Sequence, residues 1–214
     1  MPNTVLRIGE DAFNHNLEQV VFEQDSQLHT IATSAFRFTR LEEITIPASV
    51  THIDTFAFYG NDVLKALTFE DGSSLKTIGD YAFHGTTKLK TVLLPDTVES
   101  IGQKAFSTSG ITTFTISASS MLTTIGDLAL FNTHITSIYL PPQLTTIGKG
   151  AFGVTYITGL FIPINVEVIG DSAFSFLTPD IQFTEIYVEA ESKPEGWSDT
   201  WNSRDYPVYW HANE

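Results

Sequence analysis

Apolar residues return along this chain in one phrase, Ile-x-x-x-Ala-Phe, seven times with Phe and once with Leu in its place. Its Ile residues are Ile8, Ile31, Ile53, Ile78, Ile101, Ile125, Ile147 and Ile169, separated by 23, 22, 25, 23, 24, 22 and 22 residues. Ala stands four positions after each, followed by Phe13, Phe36, Phe58, Phe83, Phe106, Leu130, Phe152 and Phe174. Self-similarity at a period of about 20 to 50 residues marks one supersecondary unit stacked on copies of itself. Such a molecule is quasi-one-dimensional and offers an extended surface rather than a pocket, which favours binding over chemistry.

Between the phrases lie seven segments whose apolar positions end in alternation: Leu17-x-x-Val20-x-Phe22, Leu41-x-x-Ile44-x-Ile46, Leu64-x-x-Leu67-x-Phe69, Leu89-x-x-Val92-x-Leu94, Ile111-x-x-Phe114-x-Ile116, Ile135-x-x-Ile138-x-Leu140 and Ile157-x-x-Leu160-x-Ile162. Period-2 alternation predicts short strands, here called segments 1 to 7, and stacked copies predict a parallel sheet with strands about 4.8 Å apart. Pro47, Pro95, Pro141 and Pro163 end four of them, where a missing N–H stops the ladder. After segments 1, 3 and 5 the loop is instead acidic or Ser-rich (Glu23–Ser26, Glu70–Ser73, Ser117–Ser120), a second regularity with twice the period.

Gly follows the Ile in six of eight copies, as a tight bend with little room requires. Asp80, Asp127 and Asp171 come next and are placed to cap a short helical turn carrying the Ala-Phe pair. Ala lets neighbouring coils approach and Phe fills the interior. Three residues past each Phe or Leu runs a mostly small polar column of Asn16, Thr39, Asn61, Thr86, Ser109, Thr133 and Thr155, broken by Leu177. These side chains are expected to bond backbone groups of the adjacent coil.

Hydrophobic residues make up 42% of the 214 and aromatics 12%, enough for a continuous core and too much for disorder. The net charge of −14, from 25 acidic and 11 basic residues, repels phosphate backbones and anionic lipid, so nucleic acid and membrane surfaces are not expected partners. Without cysteine there is no disulfide framework, thiolate metal site or Cys nucleophile. No signal peptide and no apolar run of membrane-spanning length is evident. Met1–Val5 matches Leu94–Val98, the end of a strand and its loop, which suggests a start in mid-repeat with upstream repeats and an export signal removed.

The pattern Leu-x-x-Ile-x-Leu-Pro-x-x-Leu-x-x-Ile-Gly-x-x-Ala-Phe, repeated over residues 1 to about 190, resembles the BspA-type leucine-rich repeat of bacterial surface proteins and some protozoan ones. That family commonly has Cys or Asn in the column three past the Phe; Thr, Asn or Ser here keeps the polar role without the thiol. The resemblance implies a leucine-rich repeat solenoid: a curved, concave parallel β-sheet of short strands, with turns and 3-10 or α turns on the convex side. It also implies adhesion or protein recognition at a cell surface or in secretion, with a host or matrix protein as partner and no catalysis.

The expected organisation is eight repeats of 22–25 residues over 1–190, then a Trp-rich C-terminal cap over 191–214. All three tryptophans, Trp197, Trp201 and Trp210, lie in the last eighteen residues, where an open solenoid end needs cover. With Tyr209 they form the cap; a carbohydrate platform is the alternative use of such a cluster. The N-terminus shows no equivalent, which leaves an end open to self-association. Repeat 8 is stretched around Phe176–Ile181 and is expected to bulge as a loop.

No nucleotide-binding, zinc-protease, calcium or nucleophile-elbow motif is present, and neither a metal site nor a cofactor is expected. His29 and His52 fall on adjacent coils in neighbouring columns, a weak metal signal. Glu18 and Glu42 share a strand column with Lys65 and Lys90, so a solvated, partly offset rim is preferred to a cation site. The outward position inside each strand reads Val21, Thr45, Thr68, Leu93, Thr115, Tyr139, Phe161 and Tyr187. Aromatics exposed in a row anchor protein interfaces; β-branched and aromatic residues also stabilise strand neighbours for their own sake. The binding residues expected on the concave face are therefore Leu93, Thr115, Tyr139, Phe161 and Tyr187. A carbohydrate-active or sugar-binding β-helix, or a structural spacer, are the alternatives.

Overall fold

A computed structural model describes residues 1–13, 15–175 and 185–212. Its longest sheet runs along the Ile column rather than along segments 1 to 7. Eight two-residue strands, Arg7–Ile8, Thr30–Ile31, His52–Ile53, Thr77–Ile78, Ser100–Ile101, Thr124–Ile125, Thr146–Ile147 and Val168–Ile169, pair in chain order. Every pairing is parallel, and Ile stands against Ile throughout. The chain is thus a parallel β-solenoid of about eight turns. A two-residue strand shows no alternation to read, so this ladder is legible only as the repeat itself.

Five of segments 1 to 7 lie in three separate smaller sheets. Glu43–Ile46 pairs with Ala66–Phe69, and Thr91–Leu93 with Thr113–Thr115. Gly159–Ile162, Glu185–Val188 and Val208–Trp210 form a third group. Segments 1 and 6, expected as strands, carry no strand assignment. Pairing is interrupted between segments 1 and 2, 3 and 4, 5 and 6, and 6 and 7, and the first three interruptions each follow a long loop. Those three take six residues to reach the next core position (Phe22 to Leu28, Phe69 to Leu75, Ile116 to Leu122), whereas the Pro loops take four (Ile46 to Val50, Leu94 to Val98). Each type is closed differently: Val50 and Val98 donate back to the carbonyls of Pro47 and Pro95, while Ser73 and Ser120 hydroxyls accept from the amides of Leu75 and Leu122.

The helical turn expected around Ala-Phe is absent from the described residues. Instead the residue before each Ala is left-handed, from Asp11 (φ 47°) through Phe56 (59°) and Lys104 (52°) to Ser172 (52°). Left-handed backbone costs about 1–2 kcal/mol for an ordinary residue, and the geometry offsets it. The flip aims the next-but-one amide out of its own coil, so Phe36, Phe58, Phe83 and Phe106 donate to the carbonyls of Ala57, Ala82, Ala105 and Ala129 on the following coil at 2.7–2.8 Å. A right-handed helical turn would direct these amides along its own axis and leave the coils unjoined. The aspartates act in the same direction. Asp80 and Asp127 accept from the amides of Gln103 and Lys149 one coil on, not from a helix of their own. The polar column does the reverse of what was expected: Thr39, Thr86, Thr133 and Thr155 donate to the Phe or Leu carbonyl three residues back in their own coil.

The core is one continuous cluster of the recurring Ile, Leu, Ala and Phe residues. Phe13, Phe36, Phe58, Phe83 and Phe106 stack with centroids 4.9–5.2 Å apart; Leu130 interrupts the stack, and Phe152 and Phe174 resume it. At its end Trp201 meets Phe174 edge-on and Trp197 at 5.0 Å. Trp197 bridges to Ile169 and donates its ring N–H to the carbonyl of Val166. The stretched loop of repeat 8, with Leu177, lies outside the described residues.

Candidate functional site

Strand pleating sends alternate side chains to opposite faces, and the outward column is where segments 1 to 7 meet solvent. Val21 and Leu93 are 64% and 65% exposed, Thr115 is exposed, and Tyr139 and Phe161 are half-buried; Tyr187 is 40% exposed. The sheet breaks divide these residues into groups. Leu93 stands beside Thr115, and Phe161 beside Tyr187. Tyr139 lies on segment 6, which has no strand register with either group. Towards the N-terminus the column is polar, with Thr45 and Thr68 hydroxyls bonded at 2.8 Å.

Tyr209 extends the column beyond the residues read from the sequence. It pairs in register with Tyr187, stacks on it at 5.3 Å, and is 47% exposed. Trp197 and Trp201 are buried, whereas Tyr209 is exposed in the strand Val208–Trp210. Its signal was the alternation Val208-Tyr209-Trp210, which continues the strand pattern. The Tyr187 hydroxyl donates to Glu185, and that bond, with burial and the Glu185 charge, raises its pKa. Phe161, Tyr187 and Tyr209 thus form three adjacent rungs of aromatic surface.

The weaker candidates resolve into ordinary surface. His29 and His52 bond within their own coils, to Gln27 and Thr51. No three His, Asp or Glu converge as metal ligands among the described residues. Glu42 pairs with Lys65 at 2.9 Å and Glu18 with Arg40 at 3.9 Å, so the acidic column is offset by cations.

One cluster escaped the sequence reading. On the turn face Phe38 stacks on His15 and Tyr59 on His84, Phe56 meets Tyr81 at a tilt of 31°, and the Arg37 guanidinium lies 4.8–5.8 Å from the rings of Phe38, Phe56 and Tyr59. Burial, then the nearby Lys104 charge, lowers the His84 pKa. Columns one and two past the Phe, and one before the Ala, held the signal. Each carries aromatics in only some repeats, so no single column drew notice.

Several solved bacterial proteins are similar to this chain. The pneumococcal vaccine antigen PcpA matches with TM-score 0.51 at 17% identity, over 100% of this chain and 78% of that one. A leucine-rich repeat protein from T. pallidum matches with TM-score 0.49 at 19% identity, over 94% and 88%. One from Bacteroides ovatus matches with TM-score 0.47 at 24% identity, over 91% and 62%. No curated protein matches the chain significantly. The BspA type leucine rich repeat region matches residues 1–72 and 57–180 in six copies. With the in-register Ile ladder and the Phe stack inside it, that match places the chain in the BspA-type leucine-rich repeat family.

Proposed function

We propose that this chain is a non-catalytic recognition module of a bacterial cell-surface or secreted protein, which binds a partner protein through the outward strand column. The observation that carries the reading is the run Phe161, Tyr187 and Tyr209, three aromatic side chains on adjacent rungs and partly open to solvent. Aromatics of this kind dominate the affinity of protein interfaces when a partner covers them. Leu93, Thr115 and Tyr139 continue the same surface towards the N-terminus, and residues 191–214 serve as the closing cap of the 1–190 repeat unit. The family's leucine-rich repeats and the vaccine-antigen description of PcpA support an exposed setting, and the partner proposed there is a host or matrix protein.

The test is capture from extracellular matrix and serum, with the retained protein then titrated against wild type and the Y139A/F161A/Y187A variant. The variant is expected to lose at least about 2 kcal/mol of binding free energy while its circular dichroism is unchanged. Undiminished binding by a folded triple variant rules out this face.

A further inference from the structure

The break after segment 3 leaves a groove of about 470 Å³ between segments 3 and 4. Its apolar part is built by Phe69, Leu93 and Pro95, and Leu93, 65% exposed, is the most open large apolar side chain among the described residues. Its rim carries three exposed carboxylates, Glu70 and Asp71 from the long loop and Asp96 from the Pro loop. Two of them are held in place. Glu70 accepts the amide of Ala48 through one oxygen, and Asp96 accepts the hydroxyl of Ser117 through one oxygen. The ion pairs among the described residues are Glu18 with Arg40, Glu42 with Lys65, Glu99 with Lys76 and Asp199 with Lys193. None reaches this rim.

We infer that this groove receives a lysine or arginine side chain of the partner protein, its aliphatic stem on Leu93, Phe69 and Pro95 and its cationic head among Glu70, Asp71 and Asp96. The inference rests on the protein-binding reading and adds the chemistry of one contact. Long basic side chains are built for such a site, since they bury a hydrocarbon stem while the charge stays at the solvent edge. Carboxylates already fixed by hydrogen bonds lose little freedom on pairing, which is where binding energy is otherwise spent. The break after segment 5 offers no such rim: its loop is Ser117-Ala118-Ser119-Ser120 facing Pro141-Pro142.

The probes are the capped peptides acetyl-Leu-Arg-Leu-amide and acetyl-Leu-Lys-Leu-amide, titrated into the whole chain and followed by amide NMR shifts. The expected result is saturable shifts confined to residues 67–73 and 93–97. Affinity should fall about tenfold with the Gln-centred peptide and about tenfold in E70Q/D71N/D96N, and should weaken with added salt. L93S, which keeps every charge, should cost a few-fold. Shifts spread over the whole acidic surface, equal binding of the Gln peptide, or no saturable shift overturns the proposal. So does calcium chloride moving the same amides while the peptides do not. The Y139A/F161A/Y187A variant should titrate like wild type, so the aromatic column and the groove stand or fall separately.

Discussion

Replacing Phe83 by Ala probes the stacked core at its centre. Phe83 is fully buried, with Phe58 and Phe106 at 4.9 and 5.2 Å and each of their ring planes 4° from its own. Losing the burial of its ring costs about 2–3 kcal/mol, and each of the two lost ring contacts adds roughly 0.5–1.5 kcal/mol. Their sum, about 4 kcal/mol, falls within the range of about 3–5 kcal/mol for Phe-to-Ala changes in cores. Phe83→Leu should cost clearly less, about 1–3 kcal/mol from the two lost ring contacts, because Leu keeps most of the burial and Leu130 already occupies the same column fully buried. Phe13→Ala should cost much less than Phe83→Ala, since Phe13 is only half-buried and stacks on one neighbour, Phe36. Urea titration followed by circular dichroism and by Trp fluorescence measures each value. In a solenoid, stability is close to a sum of nearest-neighbour terms, so the Ala variant should also separate the two probes: the tryptophans sit only at the C-terminal end. A loss below about 1.5 kcal/mol for Phe83→Ala, or an equal loss at Phe13, would refute the stacked-core reasoning.

Two further outcomes follow from contacts between coils. An ideal Cβ on Gly148 would lie 2.4 Å from the amide nitrogen of Asp127, whereas one on Gly9 meets nothing within 4 Å; Gly148→Ala should therefore lower the thermal midpoint clearly and Gly9→Ala hardly at all, and comparable shifts would sink the close-approach account. Asp171 accepts hydroxyl hydrogen bonds from Ser198 and Thr200 of the cap, and these lower its pKa, with Lys149 assisting. Because the folded value lies below the unfolded one, the contact is fully present above roughly pH 4 and is lost as pH falls through the depressed value. Trp fluorescence against pH should show the cap loosening in acid in wild type, and Asp171→Asn should flatten that step; identical profiles would exclude the linkage.

The groove and the sheet breaks show how a small sequence difference propagates. The six-residue loops after Phe22, Phe69 and Ile116 were visible as a double-period regularity, but their effect on pairing was not. Strand alternation in segments 1 and 6 is as good as in their neighbours, yet neither is a strand, because pairing is set by the geometry of the adjacent coil and not by the segment's own residues. Tyr209 was visible as an aromatic near the end and was assigned to the cap. Only register against Tyr187 reveals that it faces outward.

The turn around Ala-Phe makes the same distinction at the scale of single dihedrals. Nothing in Asp11, Ser34, Phe56, Tyr81 or Lys104 marks a left-handed residue, and those side chains share no chemistry. The conformation is imposed by the next coil, whose carbonyls lie where the Phe amides must point. A chain read alone has no next coil in view.

The amino-acid sequence by itself determined the repeat, its length and the identity of the core columns, since each of these follows from periodic burial and can be counted along one chain. The tertiary structure alone decided which column carries the continuous sheet, where the smaller sheets end, and which aromatics stand exposed side by side. Those depend on hydrogen bonds between coils more than twenty residues apart, whose partners are chosen by stacking geometry and not by the residues that donate and accept them.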